Sequence, residues 1–422
     1  MIKFSRIKFN FHKISVERGI DMYQATPENI AQHSTAQHST APNILLVTLH
    51  TGKFQPANHG NKLQNYALQE VLKNFGLNVY NLWAEMLENE KPSLFSKILR
   101  YPKGFAKCIL ALLGSRKYRR WLKNYRLAKK TPPASPEIEA LRTSICDKFD
   151  DEYIINKVPS SYANPLNQNE CENYQYAITG SDMVWRNWSG TLEDLEYFYL
   201  SFMPAEKRVC YAPSFGFKKF PARFAKLHKK YLAEFKKLSC REIEGCNLIK
   251  QAVNKEVLHV LDPALLLNAD DYLKIARKPK FKIPEHYVFV YYFGMITDEV
   301  KSLIDKFSSG LKIIHVNNPQ ELEYYLTDAS EFLWLMNNAD YVYTNTFHGT
   351  VFSIIFKKKF ISAGKYSYKI KDILSSLNLN NRIYNNDGKI PQGEIDYDSV
   401  YEKLNARREI SLNYLQECLN LK

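Results

Sequence analysis

Residues 43–82 read NILLVTLHTGKFQPANHGNKLQNYALQEVLKNFGLNVYNL, and this stretch decides the fold. It begins with an apolar run, Asn43 to Gly52, of the kind found in strands that are buried on both faces of a parallel sheet. A Gly-containing turn follows. Apolar residues then recur at helical spacing until Gly76, after which a second strand begins. The pattern predicts a β-α-β unit.

The same alternation of strands and helices fills two blocks of the chain. Strands are predicted in YQYAITGSD, RVCYAPSFG and EVLHVLDPALLL, and the pattern restarts with YVFVYYFG after a polar stretch at Asn268 to His286. In the second block we expect helices over Asp298 to Phe307 and over Ser330 to Asn338, and strands in LKIIHVN, DYVYTNTFHG and KFISAG. This order predicts an α/β fold of two Rossmann-like parallel-sheet domains facing a cleft.

The length of 422 residues also favours two domains, because it exceeds the size that one hydrophobic core usually serves. The leader is expected to be disordered, since it ends in the duplicated polar sequence AQHSTAQHST. The predicted parts are a leader at 1–42, an N-terminal α/β domain at 43–270 with a basic helical insertion at about 93–131, a junction at 271–286, a C-terminal α/β domain at 287–394 and a C-terminal helix at 395–422.

Composition excludes several classes of protein. The chain is 45% hydrophobic and 24% charged, which is typical of a folded globular protein, and it holds no apolar run of membrane-spanning length. The N-terminus lacks the continuous apolar core of a secretory signal, so we expect a cytoplasmic protein. The seven cysteines are scattered without a CxxC pair, which indicates reduced thiols. Without a P-loop, a GxGxxG or a metal-ligand pattern, no cofactor or metal is expected.

Most of the net charge of +14 lies in one segment. Residues 97–130 hold twelve Lys or Arg and no acidic residue, while the rest of the chain is nearly balanced. Apolar and aromatic residues recur there at helical spacing, which predicts basic amphipathic helices. Two interpretations stay open: peripheral attachment to the anionic inner face of the plasma membrane, or packing of the apolar face on the protein's own core. Concentration of the charge in this segment argues against nucleic-acid binding.

Five predicted strand ends place small residues beside a polar or charged one. They are NHGNKLQ at 58–64, TGSDMVW at 179–185, APSFG at 212–216, SCRE at 239–242 and NTFHGT at 345–350. Small residues let a ligand approach the backbone, and a following helix N-terminus favours an anion. Together these strand ends indicate a site for an anionic ligand.

Six ordered motifs then make the sequence resemble a known family. HGNKLQNYALQEVL, ITGSDMVW, YAPSFG, LSCREIEGCNLI, LDPALLL and NTFHGTVFSIIFKKKFI look like those of the polysaccharide pyruvyl transferases, from Asn43 to about Arg382. The resemblance implies a fold of the glycosyltransferase-B type. It also implies transfer of a pyruvyl group from phosphoenolpyruvate to a sugar as a cyclic ketal, in the assembly of a capsule, an exopolysaccharide or a lipid-linked precursor.

The residues that matter most in the family's SxRE and SFHG motifs fall here on Arg241 and His348. A histidine gives and takes a proton near neutral pH, and an arginine holds a carboxylate or phosphate in a bidentate fork. This chain departs from the family pattern at Met183, where Gln is usual, and at Thr346, where Ser is usual. For His348 the alternative is an ordinary residue of a helix-capping turn.

Further site residues are expected around this pair. Donor or anion binding is assigned to Asn61, Lys62, Gly180, Ser181, Gly349, Thr350 and Lys365, and acceptor binding to Asp182, Trp185 and Glu242. Alternatives remain for several of them. Asp182 also fits a helix N-cap, Trp185 fits core packing, and Lys62 and Lys365 fit solvated positions. For Lys369, in the helix after Lys365, two interpretations stay open: a solvated position, which is the favoured one, or a place facing the anionic donor. Glu242 is expected to point away from Arg241 if the segment is extended, and so to act as an orienting or structural partner.

Two other functions compete with pyruvyl transfer. The same fold with a nucleotide-sugar donor would make a glycosyltransferase, and the fold without turnover would make a membrane-surface binding protein. Stabilisation by phosphoenolpyruvate or by a nucleoside diphosphate separates the first two. The acceptor sugar, the bridged hydroxyls and the oligomeric state are not encoded in these motifs.

Overall fold

The β-α-β unit predicted from residues 43–82 is present in the computed structural model. This structure describes residues 41–49, 58–85, 134–294, 296–363, 367–384, 390 and 393–421. The predicted leader, the basic segment at 97–130 and Lys365 lie outside these residues. The predicted domain boundaries stay predictions, and the positions of the sheets are given below.

The first sheet is built from strands of the N-terminal half. Its strands are β1 (Asn43–Val47), β2 (Asn78–Glu85), β3 (Lys157–Ser161), β4 (Tyr176–Thr179) and β5 (Arg208–Cys210). Its helices within the described residues are α1 (His59–Asn74), α2 (Pro136–Tyr153), α3 (Gln168–Glu172) and α4 (Leu192–Phe198). The strands are parallel in the order β3-β2-β1-β4-β5. This is the Rossmann order, and it opens a crevice between the carboxyl ends of β1 and β4.

Local sequence explains the first unit. Ile44, Leu45 and Leu46 in β1 are at most 1% exposed, as expected for a central strand with both faces covered. Helix α1 begins where the side chain of Asn58 accepts a hydrogen bond from the backbone N–H of Asn61. The turn into β2 uses Gly76 with a φ of +78°, a conformation that glycine adopts without strain.

A small parallel pair of strands follows the first sheet. Its elements are α5 (Ala225–Glu234), β6 (Leu238–Cys240), α6 (Ile243–Val253), β7 (Val257–His259) and α7 (Ala269–Leu273). Strands β6 and β7 pair with Leu238 opposite Val257. The loops after these two strands carry Arg241 and Asp262 to the site.

The second sheet occupies the C-terminal half. Its strands are β8 (Tyr287–Tyr291), β9 (Lys312–His315), β10 (Tyr341–Thr344) and β11 (Lys359–Ser362), with helices α8 (Asp298–Phe307), α9 (Leu322–Tyr325), α10 (Ala329–Asn338), α11 (Phe347–Ile355) and α12 (Tyr368–Ser376). The strands are parallel in the order β11-β10-β8-β9. This sheet therefore changes direction between β8 and β10, which places its own crevice at their carboxyl ends.

A long helix, α13 (Tyr397–Cys418), returns from the second half to the first. Its Tyr414 hydroxyl donates to the backbone carbonyl of Cys210 at 3.0 Å, and Arg408 donates to the carbonyl of Leu267 at 2.8 Å. One cluster of buried apolar side chains includes residues of both sheets and of α13. The predicted two-sheet α/β architecture of the glycosyltransferase-B-like type is confirmed. No helix in the described part of the chain has the length and apolarity needed to cross a bilayer.

Candidate functional site

The crevices of the two sheets meet at one cluster of polar side chains. The loop after β4 supplies Asp182, and the loops after β6 and β7 supply Arg241 and Asp262. From the second sheet, the loop after β10 leads into α11, whose first turn supplies His348. Each of these four side chains is at least nine-tenths buried. The switch points of both sheets therefore contribute to the same site.

Arg241 is the centre of a buried ion-pair network. Its Nη1 lies 2.7 Å from Oδ2 of Asp262, and its Nη2 lies 2.7 Å from Oδ1 of Asp182. The guanidinium carbon also lies 4.5 Å from the ring centre of Phe347. Such a buried charge is tolerated because opposite charges and hydrogen bonds surround it. In this structure both prongs of the arginine fork are thus occupied by carboxylates of the protein itself.

His348 reaches the same network through Asp262. Its Nε2 lies 3.7 Å from Oδ2 of Asp262, the oxygen that also binds Arg241. His348 lies in the first turn of α11, which is capped by the side chain of Thr346 accepting from the N–H of Gly349 at 2.9 Å. Arg241 and His348, which lie in different halves of the chain, are therefore brought together around one carboxylate.

Helix α1 closes the cluster from the side. A Cβ atom on Gly60 would stand 2.2 Å from Cγ of His348, so the helix approaches the ring this closely because residue 60 has no side chain. The next residue, Asn61, donates from Nδ2 to Oδ2 of Asp182 at 3.0 Å. The first turn of α1 thus touches both the histidine and one of the acids.

The carboxylates of the cluster are ionised. Burial opposes ionisation of Asp262, but His348 and Arg241 outweigh it and lower its pKa to about 2. For Asp182 burial also raises the pKa, and Arg241, His348 and Lys369 together bring it below its ordinary value. Asp182 and Asp262 are therefore fixed negative charges at neutral pH.

Lys369, in the first turn of α12, faces this cluster and is half-buried. Burial and the positive charge of Arg241 lower its pKa from 10.5 to about 8, although Glu242 and Asp182 act in the opposite direction. Among the described residues it has no ion-pair partner within contact distance. Two positions were expected for this lysine: a solvated one and one near an anionic donor. The structure places it beside the cluster, which agrees with the second.

Four other predicted site residues, two with hydroxyl groups and two glycines, make their contacts with other parts of the protein. Ser181 Oγ lies 2.9 Å from the carbonyl of Ala212 and 3.2 Å from Oδ2 of Asp262. A Cβ on Gly180 would meet the carbonyl oxygen of Tyr211 at 1.9 Å. Gly349 packs against the hydroxyls of Thr344 and Thr346, and Thr350 donates to the carbonyl of Thr346 at 3.0 Å. These residues shape the loops that carry the cluster.

Lys62 and Trp185 are enclosed rather than open to a ligand. The Lys62 ammonium forms a buried ion pair with Asp150 and lies 3.4 Å from Asp147, so it is neither solvated nor available to a phosphate. Trp185 is fully buried, and its ring stacks on Tyr199 at 5.0 Å, as in the packing alternative. The burial of Lys62 was not predicted because its ion-pair partner, Asp150, lies 88 residues away in the sequence.

The expected direction of Glu242 is wrong. Its Oε1 accepts from the hydroxyl of Ser214 at 2.6 Å, while its Oε2 lies 3.6 Å from Nε of Arg241. The backbone is extended at this residue, as assumed. The long glutamate side chain nevertheless bends back toward its neighbour, because both are buried and carry opposite charges. Glu242 thus adds a third negative charge around Arg241.

Two residues with a place in the site were missed. Asp262 joins Arg241 to His348. It belongs to the LDPALLL motif, but it was not predicted as a site residue. Phe293 lies just beyond β8 and is 49% exposed. Its backbone N–H and C=O are both bound by the side-chain amide of Asn345, each at 2.8 Å. The backbone that carries this exposed aromatic ring is therefore held in place just beyond the carboxyl end of β8.

These two crevices and their shared cluster define an α/β protein of the glycosyltransferase-B-like type. The sequence model of the family described as "Polysaccharide pyruvyl transferase" matches residues 58–364, which is most of the chain. The chain belongs to this family. The six motifs that carried the resemblance all lie within the matched residues, so the predicted family is confirmed.

Comparison with other proteins adds the following similarities. UDP-GlcNAc 2-epimerase from Neisseria meningitidis bound to UDP-GlcNAc is 8% identical with a TM-score of 0.41, over 89% of this chain and 94% of that one. The S. aureus MnaA-UDP co-structure is 8% identical with a TM-score of 0.43, over 90% and 98%. UDP-GlcNAc 2-epimerase from Methanocaldococcus jannaschii is 9% identical with a TM-score of 0.35, over 88% and 92%. No curated protein matched the sequence.

Proposed function

We propose that this protein transfers the pyruvyl group of phosphoenolpyruvate to two hydroxyls of a sugar, forming a cyclic ketal on a surface polysaccharide or its lipid-linked precursor. Membership of the family supports the class of reaction. The observation that carries the proposal for this site is the sharing of Asp262 by Arg241 and His348 where the two crevices meet. The reaction takes place on the cytoplasmic side, with the protein at the inner face of the membrane.

The chemistry requires one proton to enter and two to leave the reacting groups. Protonation of the enol methylene carbon makes it a methyl group and leaves a cationic carbon, to which the first sugar hydroxyl adds as it loses its proton. The bond to phosphate then breaks, phosphate leaves, and the second hydroxyl adds and loses its proton. His348 supplies the proton to carbon and accepts one from a hydroxyl within the same cycle, and the proton of the other hydroxyl leaves with the departing phosphate.

Asp262 supports His348 in this role. An ionised carboxylate 3.7 Å from Nε2 of the imidazole is placed to balance the positive charge that the ring carries while it holds the transferred proton. Arg241, whose fork is filled by Asp182 and Asp262, acts as a positioning residue that holds both carboxylates ionised. Its role is therefore indirect, in contrast to the direct anion binding expected from the motif.

Lys369 and the first turn of α11 are the groups proposed to receive the donor's anionic groups. Lys369 is the described cation beside the cluster that has no carboxylate partner, and its partial burial strengthens its attraction for an anion. Backbone N–H groups of a helix N-terminus add to this attraction. Phe293, whose backbone is held by Asn345 just beyond the carboxyl end of β8, is the surface proposed to stack on the acceptor sugar.

Incubation with phosphoenolpyruvate and a lipid-linked glycan pool tests the proposal. Mass spectrometry is expected to find the pyruvyl adduct, together with phosphate release that requires both donor and acceptor. The His348→Gln variant is expected to keep the melting temperature of the wild type and to lose the adduct by about a hundredfold or more. An unchanged adduct yield in a folded His348→Gln variant contradicts the role of the histidine. Stabilisation by a nucleoside diphosphate, but not by phosphoenolpyruvate, contradicts the donor.

A further inference from the structure

A second basic stretch lies in the described part of the chain. Residues 218–237 contain eight Lys or Arg and a single acidic residue, Glu234. All eight basic side chains are exposed: Lys218, Lys219, Arg223, Lys226, Lys229, Lys230, Lys236 and Lys237. The near balance of charge outside 97–130 is thus an average that conceals a strongly cationic surface, called here the α5 surface.

Few of these charges are neutralised within the protein. Lys218 pairs with Glu244 at 2.6 Å and Lys237 pairs with Glu417 at 2.7 Å. The remaining six make no ion pair with a described residue. Most of the positive charge on the α5 surface is therefore left to attract an external anion.

One face of helix α5 packs on the apolar core beneath this surface. His228 is buried and its Nδ1 lies 2.8 Å from the hydroxyl of Tyr199, and Leu232 is also buried. Lys226, Lys229 and Lys230 lie on the opposite face at helical spacing. The three lysines therefore point to solvent from a helix whose opposite face is buried against the protein.

Aromatic residues alternate with the cations just before α5. Phe217, Phe220 and Phe224 are half-buried, and the ring of Phe220 stacks on His228 at 4.8 Å. Cations that reach phosphates beside aromatic rings at headgroup depth are the pattern of a protein surface that lies on an anionic bilayer. These three phenylalanines pack their buried parts against the apolar core and leave the rest of each ring at the surface among the lysines.

The α5 surface adjoins the candidate site. Ser214, four residues before Lys218, donates its hydroxyl to Glu242 at 2.6 Å. Lys218 itself lies 5.3 Å from the ring centre of Tyr368, the residue next to Lys369. A membrane held against this surface would therefore present its headgroups beside the cleft.

We propose that the α5 surface docks on an anionic phospholipid bilayer and places the cleft beside lipid-linked substrates. A bilayer is proposed in preference to other polyanions because, in the proposed function, the acceptor sugar is attached to a lipid. Docking on a membrane goes beyond that function. Vesicle binding is measured without substrate, so loss of docking and loss of pyruvyl transfer can be told apart.

The test is sedimentation of the full chain with vesicles of phosphatidylglycerol and phosphatidylcholine, compared with vesicles of phosphatidylcholine alone. A triple variant, Lys226→Gln, Lys229→Gln and Lys230→Gln, removes three outward charges. A matched control removes three exposed lysines elsewhere, Lys280→Gln, Lys282→Gln and Lys306→Gln. Each lysine near an anionic surface contributes about fivefold to partitioning, so the triple variant is expected to lose about a hundredfold and the control less than threefold.

A loss of less than tenfold in the triple variant, or an equal loss in the control, overturns the proposal. Wild-type binding to pure phosphatidylcholine that matches binding to the anionic vesicles also overturns it. So does displacement from the vesicles by duplex DNA at equal phosphate concentration, because that result assigns the surface to nucleic acid. If the triple variant melts below the wild type, the single variants Lys226→Gln and Lys229→Gln decide instead, each with an expected loss of about fivefold.

Discussion

The pH dependence of donor binding tests the proposed role of Lys369. The lysine is half-buried, and burial together with Arg241 lowers its pKa from 10.5 to about 8. Below that pKa the side chain is an ammonium that attracts the donor's anionic groups, and above it the attraction is lost. The donor phosphate, with a second pKa of about 6, stays fully ionised in this range. Affinity is therefore expected to fall as the pH rises.

The magnitude follows from the fraction of protonated lysine. With a pKa of about 8, about three-quarters of the side chains carry the proton at pH 7.5 and about 3% do so at pH 9.5. The dissociation constant of phosphoenolpyruvate is therefore expected to rise about 25-fold between these two values, approaching tenfold per pH unit at the upper end.

Isothermal titration at intervals from pH 7.5 to 9.5 measures this slope in the wild type and in three variants. Lys369→Arg keeps its charge throughout, so its affinity is expected to be retained and nearly independent of pH. Lys369→Gln is expected to bind at least about tenfold more weakly at pH 7.5 and also without a slope. The exposed Lys371→Gln on the same helix serves as the control and should behave as the wild type. A wild-type dissociation constant that varies less than threefold, or a Lys369→Arg variant with the wild-type slope, refutes the reasoning.

Three further substitutions probe the rest of the site. Asp262→Asn leaves the buried Arg241 with one fewer anion and is expected to lower the free energy of unfolding by about 3 kcal/mol in urea titrations. Gly60→Ala places a methyl group 2.2 Å from Cγ of His348, so the rate of pyruvyl transfer should fall about tenfold in a protein with a native circular dichroism spectrum. Phe293→Ala should raise the acceptor KM about fivefold and leave donor affinity unchanged.

The fold was predictable because strand and helix patterns are local. The helix expected over residues 298–307 has those bounds in the structure, and the helix expected over 330–338 begins one residue earlier. Within the apolar run at 43–52, of which residues 43–49 are described, the strand spans Asn43–Val47. Hydrophobic periodicity and capping signals involve residues only a few positions apart, so helices and strands can be predicted from a single sequence.

The partners of the site residues were not predictable in the same way. The sequence placed Arg241 and His348 at strand ends, and the rule that ligands bind at the carboxyl ends of parallel strands made their meeting reasonable. It contained no signal that Asp182, 59 residues before Arg241, would fill one prong of the guanidinium. Ion pairing over such separations depends on how the first sheet and the β6–β7 pair are placed beside each other, which spacing alone does not encode.

That pairing changes which group is proposed to attract the donor. Arg241 and Lys369 bring two positive charges, while Asp182, Glu242 and Asp262 bring three negative ones. The three carboxylates surround Arg241, so the proposed attraction for an anion falls to Lys369, which has no ion-pair partner among the described residues. In the proposed mechanism the anionic donor is therefore held on the Lys369 side of the cluster, while Asp262 lies beside His348, the proposed proton donor.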